Sequence, residues 1–214
     1  MSDLQRHLAT LIVSLAVSAS ASLAWAQSAP IVQPGAPGKP SRIITPEQAA
    51  RLRPGASAAD VKFMQGMIGH HAQAVEMTEL LETRTRSATM RKLAERIQVS
   101  QDDEMKMMRE WLESHGAAAP GEHAHHAPGA PLMPGMLTAQ EMDRLTAASG
   151  ESFDRLFLEY MIKHHEGALV MVKDLFATPG AAQDADIYAF ASDVNADQRM
   201  EIARMTAMLK ELQK

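Results

Sequence analysis

Cysteine is absent from the 214-residue chain, aromatic residues make up only 4% of it, and neither sign of charge dominates, with 26 acidic side chains against 21 lysines and arginines. Each shortage removes a class of function. Without cysteine there is no disulfide framework, no thiolate zinc site and no cysteine nucleophile. A net charge of −5 gives no general pull toward nucleic acid or anionic lipid. Few aromatics leave few platforms on which single-stranded nucleic acid could stack. What remains is an ordinary globular share of hydrophobic residues, 46%, and 16 methionines.

The N-terminus reads as an address. Residues 8–26, LATLIVSLAVSASASLAWA, follow Arg6 and His7 as a small, apolar run ending Ala24-Trp25-Ala26. That pattern predicts a secretory signal peptide over 1–26. The run is short and diluted by Ser14, Ser18, Ser20 and Ser22, so no stable membrane anchor is expected after cleavage. Twin arginines are missing, which favours the general secretion route and a periplasmic location. The expected mature chain retains 15 methionines and 8 histidines.

Breakers divide the rest. Residues 27–44 carry Pro30, Pro34, Pro37 and Pro40 with Gly35 and Gly38, a disordered leader on composition. A second breaker-rich stretch, 116–137, separates two blocks without sustained strand-type alternation. These blocks repeat. FMQGMIGHHAQAVEM (63–77) matches FLEYMIKHHEGALVM (157–171) at an offset of 94, with seven of fifteen residues identical. Downstream, VSQDDEMKMMR (99–109) is set against VNADQRMEIAR (194–204) at an offset of 95. Each unit reads as a short leading turn followed by two long helices, predicted over 58–84, 88–114, 152–176 and 183–212. The expected architecture is all-α: a four-helix bundle over 45–214, made of repeat 1 (45–115), a long crossover (116–137) and repeat 2 (138–213).

Met67, His70, His71, Ala74 and Met77 recur at steps of three and four, which places them along one helix face. Met161, His164, His165, Ala168 and Met171 repeat that face. Met105 and Met108 lie on the second helix, and Met200, Met205 and Met208 on the fourth. Periodicity does not decide which histidine of each pair points further inward. Imidazole with thioether favours a soft ion, so the candidate cargo is copper as Cu(I), with Ag(I) and Cu(II) as further candidates, and no organic cofactor is implied. Glu76, Glu79 and Glu166 are candidate acceptors for imidazole N–H groups. In the crossover, His123, His125 and His126 with Met133 and Met136 form a second, flexible His/Met tract of metal-binding composition.

MIGHHAQAVEM and MIKHHEGALVM, each preceded by an Asp (Asp60, Asp154) and a Phe (Phe63, Phe157), resemble the repeated signature of the domain of unknown function 305 family. Gln101, Met105, Met108, Trp111 and Leu112 are similar to its second-helix pattern. The resemblance spans roughly 45–213 and implies a ferritin-like bundle exported to the periplasm, with members that bind copper or silver and support metal tolerance. It points to Met67, His70, His71, Met77, Met161, His164, His165 and Met171. The second repeat departs from the pattern at Thr206-Ala207 and at Ala196, where the first has Trp111-Leu112 and Gln101.

The expected function is therefore a periplasmic copper-binding protein that buffers the ion or passes it to an efflux or chaperone partner, and not an enzyme. A di-iron or di-manganese oxidase would need Glu-x-x-His motifs on two helices, and none of the four histidines of the His–His pairs has a glutamate three residues before it. The blander alternative is a structural or interaction module, in which methionine fills the core and the histidines are hydrogen-bonded structure.

Overall fold

The computed structural model describes residues 29–52, 55–121, 124–127 and 132–213. The signal segment 1–26 lies outside the described residues, as do His123 and the side chain of His125.

Residues up to Leu52 form one compact unit and the remainder a second. In the first, β1 (Ile31–Gln33) pairs antiparallel with β2 (Arg42–Ile44), Ile31 opposite Ile44 and Val32 opposite Ile43. The expectation of an unstructured leader is corrected here. The β-branched residues favour extended backbone, and the Pro/Gly stretch between them acts as the turn, with Gly38 at φ 80°. Three-residue strands are too short to show alternation in the sequence. Helix α1 (Pro46–Leu52) follows.

The second unit contains α2 (Ala58–Glu79), α3 (Leu81–Arg84), α4 (Ala88–Ser114), α5 (Ala139–Ala147), α6 (Gly150–Ala177) and α7 (Ala185–Glu211). The four long helices fall where the sequence places them, the first broken at Leu80. The two supposed leading turns are instead the short helices α1 and α5. α5 starts on a capping box, in which Thr138 accepts from the Glu141 N–H and Glu141 accepts from the Thr138 N–H. α2 starts on another, formed by Ser57 and Asp60.

α2 packs against α4, α6 against α7, and α2 against α6, joining the two hairpins. α4 and α7 face each other across a cleft lined by Ser100, Glu104, Asp193, Val194 and Asp197. Two apolar clusters fill the bundle. One holds Phe63, Met67, Met105, Met108, Leu112, Val172, Ile187 and Val194; the other holds Met77, Leu81, Met90, Ile97, Phe153, Phe157, Met161 and Met205. Along each long helix the buried residues between the clusters are polar: His70 and His71 on α2, Gln101 and Glu104 on α4, His164 and His165 on α6, Gln198 and Glu201 on α7. The bundle is thus two apolar cores with a polar layer across its middle.

Candidate metal centre

Placing two histidines in succession on a helix forces them 100° apart, so one ring of each pair faces the opposite hairpin and the other its own partner helix. The inner rings are His70 and His164, whose centroids lie 3.8 Å apart. The outer rings reach back: His71 Nε2 donates to Glu104 at 2.5 Å, and His165 Nε2 to Glu201 at 2.5 Å. All four imidazoles are 1% exposed or less.

The crossover closes one side. His70 Nε2 donates to the Pro134 carbonyl at 3.0 Å, which fixes its proton because a carbonyl only accepts. Gln73 holds Leu137 twice, donating to its carbonyl at 3.0 Å and accepting its N–H at 2.7 Å. The approach is so close that a Cβ on Gly167 would stand 2.0 Å from the Pro134 oxygen. Glycine at 167 is a steric requirement of this contact.

Among the described residues, five ring nitrogens in the layer make no hydrogen bond of normal geometry: Nδ1 of His70, His71 and His165, and both nitrogens of His164. Leaving a buried polar atom unpaired costs on the order of 1–3 kcal/mol. Burial, reinforced by His71, holds the His70 pKa down to about 3. Burial, reinforced by His70, holds that of His164 well below the usual histidine value. At neutral pH both inner rings are neutral and carry a free lone pair, the form that ligates a metal. Among the described residues no three His, Asp or Glu side chains already stand as a finished cation cage. The layer is a set of donors gathered in one volume.

Thioethers flank it. Met67, Met77, Met108 and Met161 are fully buried and Met105 is 7% exposed. Met67 and Met161 precede the histidines by one turn, and Met108 follows Glu104 by one turn, as Met205 follows Glu201. Met171 is only half-buried and lines, with Met133, Gly66 and Pro134, a cavity of about 560 Å³ under the crossover. Met200 is 63% exposed and does not join the interior, which corrects its place among the candidates. Met208 is partly buried against the second cluster. In the crossover, His126 Nε2 donates to Glu76 at 2.6 Å, on the outer surface of the bundle.

The expected imidazole partners were also misplaced. Glu79 and Glu166 are exposed and Glu76 meets His126 instead, whereas the carboxylates that hold the layer are Glu104 and Glu201. Glu76, Glu79 and Glu166 follow only from nearness to the pairs along the chain, and a register error in the second-helix alignment hides the equivalence of Glu104 and Glu201. The His71–Glu104 and His165–Glu201 contacts relate α2 to α6 by 94 residues but α4 to α7 by 97. At 97, Gln101 matches Gln198, Glu104 matches Glu201, Met108 matches Met205, and buried Ile97 matches buried Val194. At 95, Met105 at 7% exposure is set against Met200 at 63%. The three extra residues lie in the turn between α6 and α7. A signal was present in the repeated Gln-x-x-Glu of QDDE (101–104) and QRME (198–201).

No curated protein matches the chain. Solved structures do. A DUF305 fragment from Deinococcus radiodurans is 30% identical, with TM-score 0.62, over 74% of this chain and 99% of its own. A DUF305 protein from Streptomyces coelicolor, taken to be secreted, is 29% identical, with TM-score 0.62, over 72% and 93%. CopM in its Cu(I)-bound form is 26% identical, with TM-score 0.55, over 71% and 96%; it has also been solved with Cu(II) and with Ag. The family described as Domain of unknown function (DUF305) matches residues 60–209, across the four long helices and the polar layer they enclose, and the chain belongs to that family.

Proposed function

We propose that this protein is a periplasmic binding protein for Cu(I) or Ag(I), not a catalyst, and that the ion is held in the polar layer by imidazole nitrogens of the His70/His71 and His164/His165 pairs with adjacent thioethers. The observation that carries the reading is the group of unpartnered ring nitrogens buried between two apolar cores. A structural layer would pair them; a ligand-binding layer keeps lone pairs free. Neutral imidazoles and thioethers bring no negative charge, which suits a monovalent soft ion. Glu104 and Glu201 each accept from a histidine, which leaves ring nitrogens as the unpartnered donors of the layer. Copper- and silver-bound CopM, with the same fold, supports the choice of ion. Met67, Met161 and Met108 are the thioethers best placed; Met77 and Met105 lie further along the same buried faces. Export rests on the signal-like residues 1–26, and no described helix is long and apolar enough to cross a membrane. Delivery to an efflux or chaperone protein is the cellular role we assign to the bound ion.

Anaerobic titration with Cu(I) against a competing chelator tests this. Binding tighter than micromolar is expected, with loss on changing His70, His71, His164 and His165 to Ala. Equal affinity in the quadruple variant, or none in the parent, ends the proposal.

A further inference from the structure

The two glutamates of the layer are unusual core residues. Glu104 is 6% exposed and Glu201 9%. An apolar side chain of similar size would fill either place without the cost of desolvating a carboxylate. Yet the same contact is built twice, at positions 94 residues apart on the histidine helices and 97 apart on the glutamate helices. The spacing changed between the repeats while the contact did not.

The contact has a chemical consequence. An ionised carboxylate only accepts, so the ring nitrogen facing it must carry the proton. For His71 and His165 that nitrogen is Nε2, and the lone pair is left on Nδ1. In both rings Nδ1 is buried and has no hydrogen-bond partner among the described residues. A second oxygen of Glu104 is steadied by the Ser100 hydroxyl at 3.3 Å.

We infer that Glu104 and Glu201 are positioning residues that, by holding Nε2–H of His71 and His165, make Nδ1 the nitrogen through which each ring meets a soft cation. This rests on the metal-binding reading above. It assigns to α4 and α7 a role beyond any thioether they supply: they decide which atom the partner helix of the same hairpin offers.

Two measurements test it on the intact protein. Long-range proton–nitrogen NMR of the metal-free protein is expected to show His71 and His165 as Nε2–H tautomers. Addition of Ag(I), whose nuclei couple to directly bound nitrogen, is expected to split Nδ1 of both rings. Glu104→Leu and Glu201→Leu are expected to weaken Ag(I) binding by about 10- to 100-fold each, with Glu104→Gln and Glu201→Gln recovering most of it because the amide oxygen still accepts. Should the leucine variants fail to fold, the parent spectra and the glutamine variants carry the test. An Nδ1–H tautomer in the metal-free protein, silver coupling to Nε2, or unchanged affinity in folded leucine variants would overturn the assignment. Silver coupling to His70 and His164 alone would overturn it while leaving the metal centre standing. Coupling to no histidine would remove both.

Discussion

His70 and His164 differ from ordinary surface histidines in one property, the cost of charging them. With the folded pKa of His70 at about 3 and that of His164 well below its usual value, both rings stay neutral where an unfolded chain would begin to protonate, near 6.5. The unfolded state then binds more protons, so stability rises with pH in this window and is lost as pH falls from about 6.5 toward 3. Each ring that stays neutral contributes a slope of about 1.4 kcal/mol per pH unit. Urea midpoints of the metal-free protein should therefore fall steadily between pH 6 and pH 4, and a His70→Leu, His164→Leu variant should show a flatter profile. The same residues set an expectation for cargo. Because protons compete weakly for these two rings, the part of the Ag(I) affinity lost in a His70→Leu, His164→Leu variant should change little between pH 7 and pH 5, as chelator competition at the two values would reveal.

Among the elements, the crossover and the turn between α6 and α7 are each tied down from α2. Asp60 is fully buried and accepts twice, from Ser57 N–H at 2.7 Å as part of the capping box and from Ala182 N–H at 2.7 Å in the distant turn. Ser57→Ala removes one cap and should cost about 1 kcal/mol. Asp60→Ala strands an N–H in each of two elements and should cost roughly 2–3 kcal/mol by denaturant unfolding. Glycines give a second contrast. Gly167→Ala drives a Cβ into the Pro134 carbonyl, and overpacking of that kind costs about 1–3 kcal/mol. It should also free the crossover, read as faster hydrogen exchange at the Leu137 amide that Gln73 now holds. At Gly66 a Cβ would meet only the flexible ends of Met133 and Met171, at 3.3 and 3.5 Å. Gly66→Ala should be neutral or stabilising by up to about 1 kcal/mol, because alanine favours the helix.

At the scale of the whole molecule, the bundle is two sound apolar cores separated by a layer that would be cheaper to build from leucine. A ligand that binds only the folded state adds RT ln(1 + [L]/Kd), about 2.7 kcal/mol at a hundredfold excess over Kd. For a helical unit of this size that should raise Tm by on the order of 5–10 °C when Cu(I) or Ag(I) is added. A Tm that ignores both ions would favour the purely structural reading of the layer. The unpartnered imidazole nitrogens buried in the layer make the first outcome the expected one.

Periodicity is a local property, and what it could determine it did: four long helices, their duplication, the buried His–His face and the methionines beside it all follow from steps of three and four along one segment. The all-α bundle was legible because those steps recur at a constant offset of 94, and the family because MIGHHAQAVEM and MIKHHEGALVM resemble its repeated signature. Contacts between helices are not local. Which ring of each pair turns inward, that Glu104 and Glu201 rather than Glu76, Glu79 or Glu166 meet the outer rings, and that Met200 faces water all depend on how α4 and α7 rotate about their axes. A three-residue change in one turn shifted the register of α7 against α4 without disturbing either helix pattern or the contact itself. Only packed neighbours fix an angle of rotation, so only the tertiary structure could place these side chains.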